Sequence, residues 1–282
     1  MYRQKLCLNL SESYSLGLFD QIKVIRDAGF EEIFICADGR NMPVAELVKT
    51  ARDEGVFVQS LHAPFGRCDV MWDESGDKGD DALDELLYFT DLCARLEIPV
   101  MVSHAFIGFN TGRAPTQAGL ERYGKIARRA SELGIKVAFE NTEGLEFLDA
   151  LLTGLSGEKS VGFCWDSGHE QCYNYGKDLL ALYGDKLVCT HLNDNLGISD
   201  YGGNTIFTDD LHLLPFDGII NWREKAAKLN ACGFDGTLTF ELKRRCFDGR
   251  YDNAKYEKLT PEEFIAEAYA RACRFAAMKT TP

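Results

Sequence analysis

The chain has 282 residues, of which 45% are hydrophobic and 27% are charged. This composition is typical of a globular protein with a full core, and it excludes disordered and fibrous classes. No segment approaches the roughly 18–20 consecutive apolar residues that cross a bilayer. The first ten residues, MYRQKLCLNL, hold no apolar stretch long enough for a signal peptide. We therefore expect a cytoplasmic protein with no membrane partner.

The charge balance and the cysteines indicate which partners and which compartment the protein has. Lys and Arg number 31 against 44 Asp and Glu, which gives a formal net charge of −13. Such a surface repels phosphate backbones and argues against nucleic acid as a partner. The ten cysteines include no Cys-x-x-Cys pair, and a chain of this length needs no disulfide staples. We therefore expect free thiols in a reducing compartment.

Short apolar segments alternate with amphipathic ones along the chain. The predicted strands are 5–10, 32–36, 56–62, 98–104, 135–140, 160–166, 187–191 and 237–241. The clearest helices are 81–97, 116–133 and 261–278. Four glycines that precede strands are expected to end helices: Gly29, Gly55, Gly134 and Gly233. Eight strands, each followed by a helix, predict a single α/β domain over 1–282, a (β/α)8 TIM barrel.

Side-chain alternation places polar groups inside this barrel. In the predicted strand 160–166, Phe163 and Trp165 would face the outer helices, whereas Cys164 and Asp166 would face the barrel axis. The same alternation turns Glu140 and Glu241 inward at the ends of strands five and eight. The two longest irregular stretches, 63–79 and 193–217, leave the carboxyl ends of strands three and seven, where barrel enzymes build their sites.

Histidines and carboxylates gather at that same rim. Residues at predicted strand ends are His62, His104, Glu140, Asp166, His191 and Glu241. Two further histidines follow strands six and seven in loops, namely His169 and His212. Several acidic groups in one cleft would suffer costly pKa shifts without a cation. The sequence therefore predicts a metal site at the C-terminal rim.

Other residues at the rim have weaker indications. Lys243 begins a basic run just after Glu241 and could clamp an anionic substrate group, or could be a solvated loop charge. Asp194 could orient a ligand histidine or contact a substrate hydroxyl. Four aromatic residues could stack on a sugar or pack beneath loops: Phe65, Trp72, Phe106 and Phe109.

Four motifs resemble one family of barrels. They are Phe-Glu-Asn-Thr at 139–142, Asp-Ser-Gly-His at 166–169, His-Leu-Asn-Asp at 191–194 and Asp-Leu-His-Leu-Leu-Pro at 210–215. Together they resemble the xylose isomerase-like TIM barrels. That family contains sugar and sugar-phosphate isomerases and epimerases, together with endonuclease IV-type nucleases that cut DNA at abasic sites.

The resemblance to the ketose 3-epimerase branch implies a mechanism. One divalent metal (Mn²⁺, Zn²⁺, Co²⁺ or Mg²⁺) would be held by Glu140, Asp166, His191 and Glu241. Glu140 and Glu241 would also be the acid/base pair that moves a proton through an enediolate of a small sugar or polyol. The resemblance further implies substrate contacts from Glu146 and His169. Gly197 stands where some epimerases carry an arginine.

Alternatives remain open on the same residues. The nuclease branch binds three Zn²⁺ with nine ligands, and the chain offers a candidate for each: His62, His104, Glu140, Asp166, His169, His191, Asp210, His212 and Glu241. The net charge argues against this alternative. A dehydratase acting on a cyclitol or keto-sugar would use the same enolate chemistry. A homo-oligomer is compatible with the sequence, since related barrels commonly form dimers or tetramers.

Overall fold

The computed structural model describes residues 4–109, 111–199 and 206–279, so 200–205 of the predicted loop 193–217 lie outside the described residues. Eight strands lie within the predicted segments: β1 (Leu6–Asn9), β2 (Glu32–Cys36), β3 (Phe57–His62), β4 (Val100–His104), β5 (Lys136–Glu140), β6 (Val161–Asp166), β7 (Leu187–His191) and β8 (Leu238–Phe240). The strand predictions are confirmed to within a few residues at each end.

The strands form one parallel sheet in the order β7-β6-β5-β4-β3-β2-β1-β8. The two outer strands of this order meet where Leu192 pairs with Phe240. There the Leu192 amide donates to the Thr239 carbonyl at 2.8 Å, and the Glu241 amide donates to the Leu192 carbonyl at 3.2 Å. These bonds close the sheet into a nearly complete ring, so the predicted (β/α)8 barrel is confirmed.

Helices lie between the strands. They are α1 (Leu18–Ala28), α2 (Val44–Asp53), α3 (Asp77–Arg95), α4 (Gln117–Leu133), α5 (Leu145–Gly154), α6 (Ser167–Cys172), α7 (Leu179–Tyr183), α8 (Trp222–Ala231), α9 (Ala254–Glu257) and α10 (Pro261–Ala276). Short 3-10 segments occur at Glu12–Tyr14, Val70–Trp72, Gly184–Lys186 and Phe207–Asp209. No helix within the described ranges is long and apolar enough to cross a membrane.

Helix ends follow local sequence signals. Gly29 ends α1 with φ of 115°, and a Cβ atom there would lie 2.5 Å from the Tyr269 ring. Only glycine suits both the left-handed backbone and the tight packing at this position. At α10, Thr260 and Glu263 form a reciprocal capping box, with Pro261 at the first helical position. Local sequence signals therefore set the end of α1 and the start of α10.

Apolar residues form two separate clusters, one on each face of the sheet. Phe139, Phe163 and Trp165 belong to the large cluster between strands and helices. A small inner cluster fills the barrel axis and consists of Val100, Val102, Ala138, Cys164 and Cys189. The predicted alternation is therefore confirmed, and it places Glu140 and Asp166 above the inner cluster. None of the ten cysteines, all of which lie in the described ranges, forms a disulfide.

Candidate metal centre and active site

The predicted donor residues converge at the carboxyl end of the barrel. Five of them are the last residues of consecutive strands from β3 to β7: His62, His104, Glu140, Asp166 and His191. Glu241 follows the last residue of β8, and His169 lies in the first turn of α6. Asp210 and His212 come from the loop after β7, where His212 has a left-handed backbone with φ of 47°. A non-glycine residue in this conformation is held there by its surroundings.

Four of these residues form the central cluster. Glu140, Asp166, His191 and Glu241 each place one donor atom within 4.8 Å of the others. The Nδ1 atom of His191 lies 2.9 Å from Glu140 Oε1 and 3.1 Å from Glu241 Oε2. Three carboxylates and one imidazole make an oxygen-rich donor set of the kind that divalent cations prefer.

Two further donor clusters flank the central one. His62 and His104 place their Nε2 atoms 3.1 and 3.5 Å from Glu140 Oε2. On the other side, His169 Nε2 lies 3.4 Å from Asp210 Oδ2, which His212 Nε2 also contacts. Glu140 therefore has one oxygen in the central cluster and the other in the cluster with His62 and His104. The structure brings together all nine donors that the sequence predicted.

Backbone and amide groups fix the orientation of the donors. The carboxylate of Asp166 accepts from the His169 amide at 2.6 Å and from the Asn193 side chain at 2.8 Å. His62 Nδ1 lies 2.8 Å from the Ala63 carbonyl, and His212 Nδ1 lies 3.1 Å from the Glu241 carbonyl. A second ring nitrogen bonded to a carbonyl is typical of histidines that bind a metal through the first one.

The contact between His62 and Glu140 bears on whether a metal can bind here. The Ala63 carbonyl can only accept, so His62 Nδ1 carries the hydrogen, and in the neutral ring Nε2 has a lone pair. That lone pair faces the Glu140 carboxylate at 3.1 Å. Two acceptors at this distance repel each other unless a proton or a cation lies between them. In the metal-free protein a proton on the imidazole takes this place and hydrogen-bonds Glu140, and a divalent metal can replace it, so the donor set fits a divalent metal.

Burial and neighbouring charges shift the proton affinities in the cluster. Burial would raise the pKa of Glu140, but His191 and hydrogen bonds from its histidine neighbours hold it well below its usual range. Burial would also raise the pKa of Glu241, whereas His191 and His212 lower it to about 2. Burial raises the pKa of Asp166 to about 7. Without a metal, two carboxylates are thus ionised at neutral pH and the third is readily protonated.

A cavity of about 540 Å³ opens above the donors and reaches Glu140, Glu241 and Lys243. Its walls are largely aromatic and apolar: Phe65, Ile107, Phe109, Tyr173, Phe207 and Phe247. Lys243 Nζ lies 3.8 Å from Asp210 Oδ2 and 4.2 Å from the centre of the Phe247 ring. A cavity of this size matches small-molecule sites, which typically measure about 300–1,000 Å³.

The aromatic residues expected at the rim divide into two groups. Phe65 and Phe109 line the cavity. Trp72 and Phe106 are buried, and both pack against Phe147, with ring centres 5.0 and 4.0 Å away. The first pair is thus available to a ligand, and the second pair supports the loops beneath.

Several cavity residues were not foreseen from the sequence. Glu143 lines the cavity and accepts a hydrogen bond from the Gly108 amide at 2.7 Å. Tyr173 stacks on His169, with ring centres 4.8 Å apart. Glu143 could have been noticed as a second acid close to a strand end. Phe207 and Phe247 come from irregular loops, where spacing along the chain carries no directional signal.

Two expected substrate contacts lie elsewhere. Glu146 is exposed in the first turn of α5 and lines a smaller neighbouring cavity of about 260 Å³. Asp194 is fully buried, and its carboxylate accepts from four nitrogens, those of the Asn195, Phe216 and Ile220 amides and the Trp222 indole. Neither residue lines the central cavity, and the contacts of Asp194 organise the loop after β7.

A parallel barrel with carboxylate and imidazole donors around one cavity at its C-terminal rim defines a class of TIM barrels with a candidate metal centre. The chain belongs to the xylose isomerase-like TIM barrel family, whose profile matches residues 22–271. It is similar to an uncharacterized protein, y4fM, of Sinorhizobium fredii. The two are 30% identical over 266 residues, which cover 89% of this chain and 80% of that protein.

Solved structures share the fold at lower identity. The IolI protein with a bound zinc atom has a TM-score of 0.77 and 17% identity, over 99% of this chain and all of that one. D-psicose 3-epimerase from Clostridium cellulolyticum H10, with D-tagatose, has a TM-score of 0.70 and 14% identity, over 98% of this chain and all of that one. A fusion of a xylose isomerase-like barrel with 4-hydroxyphenylpyruvate dioxygenase matches 90% of this chain, which spans 41% of the fusion (TM-score 0.68, 16% identity). At these identities the likeness shows the fold alone.

Proposed function

We propose that the protein is a divalent-metal-dependent isomerase or epimerase that acts on a small sugar, sugar phosphate or polyol. One observation carries the proposal. Glu140 and Glu241 line the same cavity, and their carboxylates approach the same nitrogen of His191 at 2.9 and 3.1 Å. Two carboxylates beside a metal-type donor set are the groups that proton transfer next to a carbonyl requires.

Glu140, Asp166, His191 and Glu241 would hold the metal in this proposal. When bound, a divalent ion supplies a positive charge that polarises a substrate carbonyl and stabilises the negative charge that develops on it. The three carboxylates favour Mn²⁺, Mg²⁺ or Co²⁺ and accept Zn²⁺.

The two glutamates would move the proton. One of them takes a proton from the carbon next to the substrate carbonyl, which gives an enediolate, and a proton returned to that carbon from the other face inverts its configuration. Glu241 is the more accessible of the pair, because 15% of its side chain is exposed against 1% for Glu140. Four imidazoles contact Glu140 and hold it in place, and three of them, those of His191, His104 and His62, lower its pKa.

The walls of the cavity suit a small polar molecule with an apolar face. Phe65 and Phe109 offer flat surfaces to the C–H face of a sugar ring, and Glu143 and Lys243 offer hydrogen bonds or charge to its substituents. Lys243 also supplies a cation for a phosphate or carboxylate group on the substrate. The relatives whose names state an activity include D-psicose 3-epimerase and L-ribulose 3-epimerase, which supports a ketose as the substrate.

A second candidate function rests on the two flanking clusters. With His62 and His104 on one side and His169, Asp210 and His212 on the other, the site could hold up to three Zn²⁺ and hydrolyse a phosphate ester. The bridging position of Glu140 favours this candidate. The net charge of −13 and the aromatic walls of the cavity disfavour a DNA duplex as its substrate.

Product analysis separates these functions. Protein loaded with Mn²⁺, Co²⁺, Mg²⁺ or Zn²⁺ is incubated with D-psicose, D-tagatose, D-fructose and L-ribulose, with their phosphates, and with a DNA duplex that contains an abasic site. We expect an isomeric sugar of unchanged mass and no cleavage of the duplex. Loss of water from a substrate would favour the dehydratase alternative, and cleavage of the duplex without sugar turnover would contradict the proposal.

A further inference from the structure

A second set of donors lies inside the barrel, below the candidate metal centre. Cys164 and Cys189 occupy paired positions on the neighbouring strands β6 and β7. Each lies two residues before a donor of the central cluster, Asp166 and His191 respectively, so each faces the barrel axis. Both thiols are fully buried, and they belong to the small inner cluster and not to the core beneath the helices.

The two sulfurs and one ring nitrogen of His191 lie within 4.8 Å of one another. Tetrahedral coordination with metal–sulfur bonds of about 2.3 Å places two sulfurs about 3.8 Å apart. A bound cation would draw these atoms to that spacing from separations of at most 4.8 Å. A fourth donor is adjacent, because Gln59 Oε1 lies 3.9 Å from Cys189 Sγ.

His191 leaves one nitrogen for this set. Its Nδ1 atom faces Glu140 and Glu241, as described above, whereas its Nε2 atom is buried and has no hydrogen-bond partner among the described residues. An orphaned polar atom in a barrel interior is costly unless something binds it. For His62 and His212, the second nitrogen bonds a backbone carbonyl. His191 differs from both, because the groups that lie within 4.8 Å of its ring nitrogen inside the barrel are the thiols of Cys164 and Cys189.

We infer that Cys164, Cys189 and the free nitrogen of His191, with Gln59 as a fourth donor, form a binding site for a thiophilic divalent cation such as Zn²⁺ or Cd²⁺. The site is chemically distinct from the carboxylate centre above it, because thiolates select soft cations and carboxylates select hard ones. His191 belongs to both sets: with the upper centre empty, a neutral ring can bind through Nε2 while Nδ1–H faces Glu140 and Glu241. Both sites can be filled at once only if the ring loses its remaining N–H proton to solvent and bridges them as an imidazolate. The inference does not depend on the reaction that the upper centre catalyses.

Cadmium binding tests the inference, because thiolate-to-cadmium charge transfer absorbs in the ultraviolet and carboxylate ligands give no such band. Metal-free protein is titrated with Cd²⁺, and the band is expected to saturate at one Cd²⁺ per chain. Cys164→Ser and Cys189→Ser should each lose most of it. Cys93→Ser is the matched control, since Cys93 is equally buried but lies on α3. Glu140→Gln should keep the band, which separates this site from the upper centre.

A full band in both Cys164→Ser and Cys189→Ser, or equal loss in Cys93→Ser, would overturn the inference. X-ray absorption at the cadmium edge, on wild-type protein with one equivalent of Cd²⁺, decides the matter even if a serine variant fails to fold. Two sulfur neighbours with additional nitrogen or oxygen are expected, and fewer than two sulfur neighbours would contradict the site.

Discussion

His62 Nε2 lies 3.1 Å from Glu140 Oε2, so the side chain that ends β3 contacts the side chain that ends β5 across the floor of the cavity. The contact joins two strand ends that are not neighbours in the sheet, since β4 lies between them. The contact occupies Oε2 of Glu140, while Oε1 faces Nδ1 of His191. Glu140 is consequently held from both sides, and Glu241 keeps more freedom to exchange a proton with a substrate.

The two glutamates are expected to be essential for turnover. Glu140→Gln and Glu241→Gln should each lower turnover by about 10²-fold or more, the range found for positioned acids and bases. Both variants should keep the wild-type circular dichroism spectrum, because glutamine has the same shape. Glu146→Gln is the control: its side chain is exposed outside the central cavity, and it should keep near-wild-type turnover. Normal turnover in Glu241→Gln would remove that residue from the acid/base pair.

The metal stoichiometry distinguishes one metal from three. In protein loaded with Mn²⁺, which the thiol site does not select, His62→Ala should leave one metal per chain at saturation, because His62 lies outside the four-residue cluster. The affinity should fall about 10–100-fold through the loss of its contact with Glu140. Asp166→Asn, which removes a ligand, should lose most of the bound metal. Elemental analysis of dialysed protein measures both. A wild-type protein with three zincs, reduced by one in His62→Ala, would favour the hydrolase.

Metal binding should release protons and strengthen as the pH rises through about 7. Burial raises the pKa of Asp166 to about 7. Burial alone would lower the pKa of His169, but Asp166 and Asp210 outweigh it and raise that pKa well above its ordinary value. Below neutrality Asp166 carries a proton, which a metal ligand must lose, and the protonated His169 next to the cluster repels a cation. Calorimetry in buffers of different ionisation enthalpy counts the released protons. An affinity that is independent of pH across neutrality would contradict this reasoning.

Asp194 should stabilise the fold. Asp194→Ala leaves three buried N–H groups and one partly buried N–H group without their acceptor. Each buried loss costs about 1–3 kcal/mol, so the free energy of unfolding should fall by at least about 3 kcal/mol. Asp185→Ala is the control, because the side chain of Asp185 is 74% exposed and such changes cost at most about 0.5 kcal/mol. Urea unfolding measures both. A stable Asp194→Ala variant with a raised KM would instead restore the expected substrate contact.

Most of the fold follows from local patterns. Alternating apolar segments and helix-ending glycines such as Gly29 and Gly134 fix where elements begin and end, and a parallel eight-stranded arrangement has few ways to close. The ends of strands were harder to predict, since β8 ends at Phe240 and leaves Glu241 one residue beyond. Its amide still bonds across the closure of the barrel, so its side chain remains at the rim.

The residues of the candidate site differ in the same way: those at strand ends were predictable and those in loops and helices were not. The donors at strand ends were predictable because parallel strands bring their carboxyl ends to one rim, and Glu140 and His191 meet there for that reason. The positions of Glu146 and Asp194 were not predictable, because the geometry of a loop or a helix start decides where each side chain points. Glu146 follows a left-handed turn at Gly144, and Asp194 turns inward, where its backbone pairs with Leu213. Sequence spacing contains no information on either turn.

Solvent deuterium exchange tests the central claim, proton transfer by Glu140 and Glu241, most directly. Metal-loaded protein is incubated in D₂O with the ketose that it turns over, and NMR follows deuterium at the carbon next to the carbonyl. We predict exchange at that carbon, lost on chelation of the metal and in Glu241→Gln, and retained in Glu146→Gln. Turnover without any exchange into substrate or product, or exchange that survives in both Glu140→Gln and Glu241→Gln, would contradict the account.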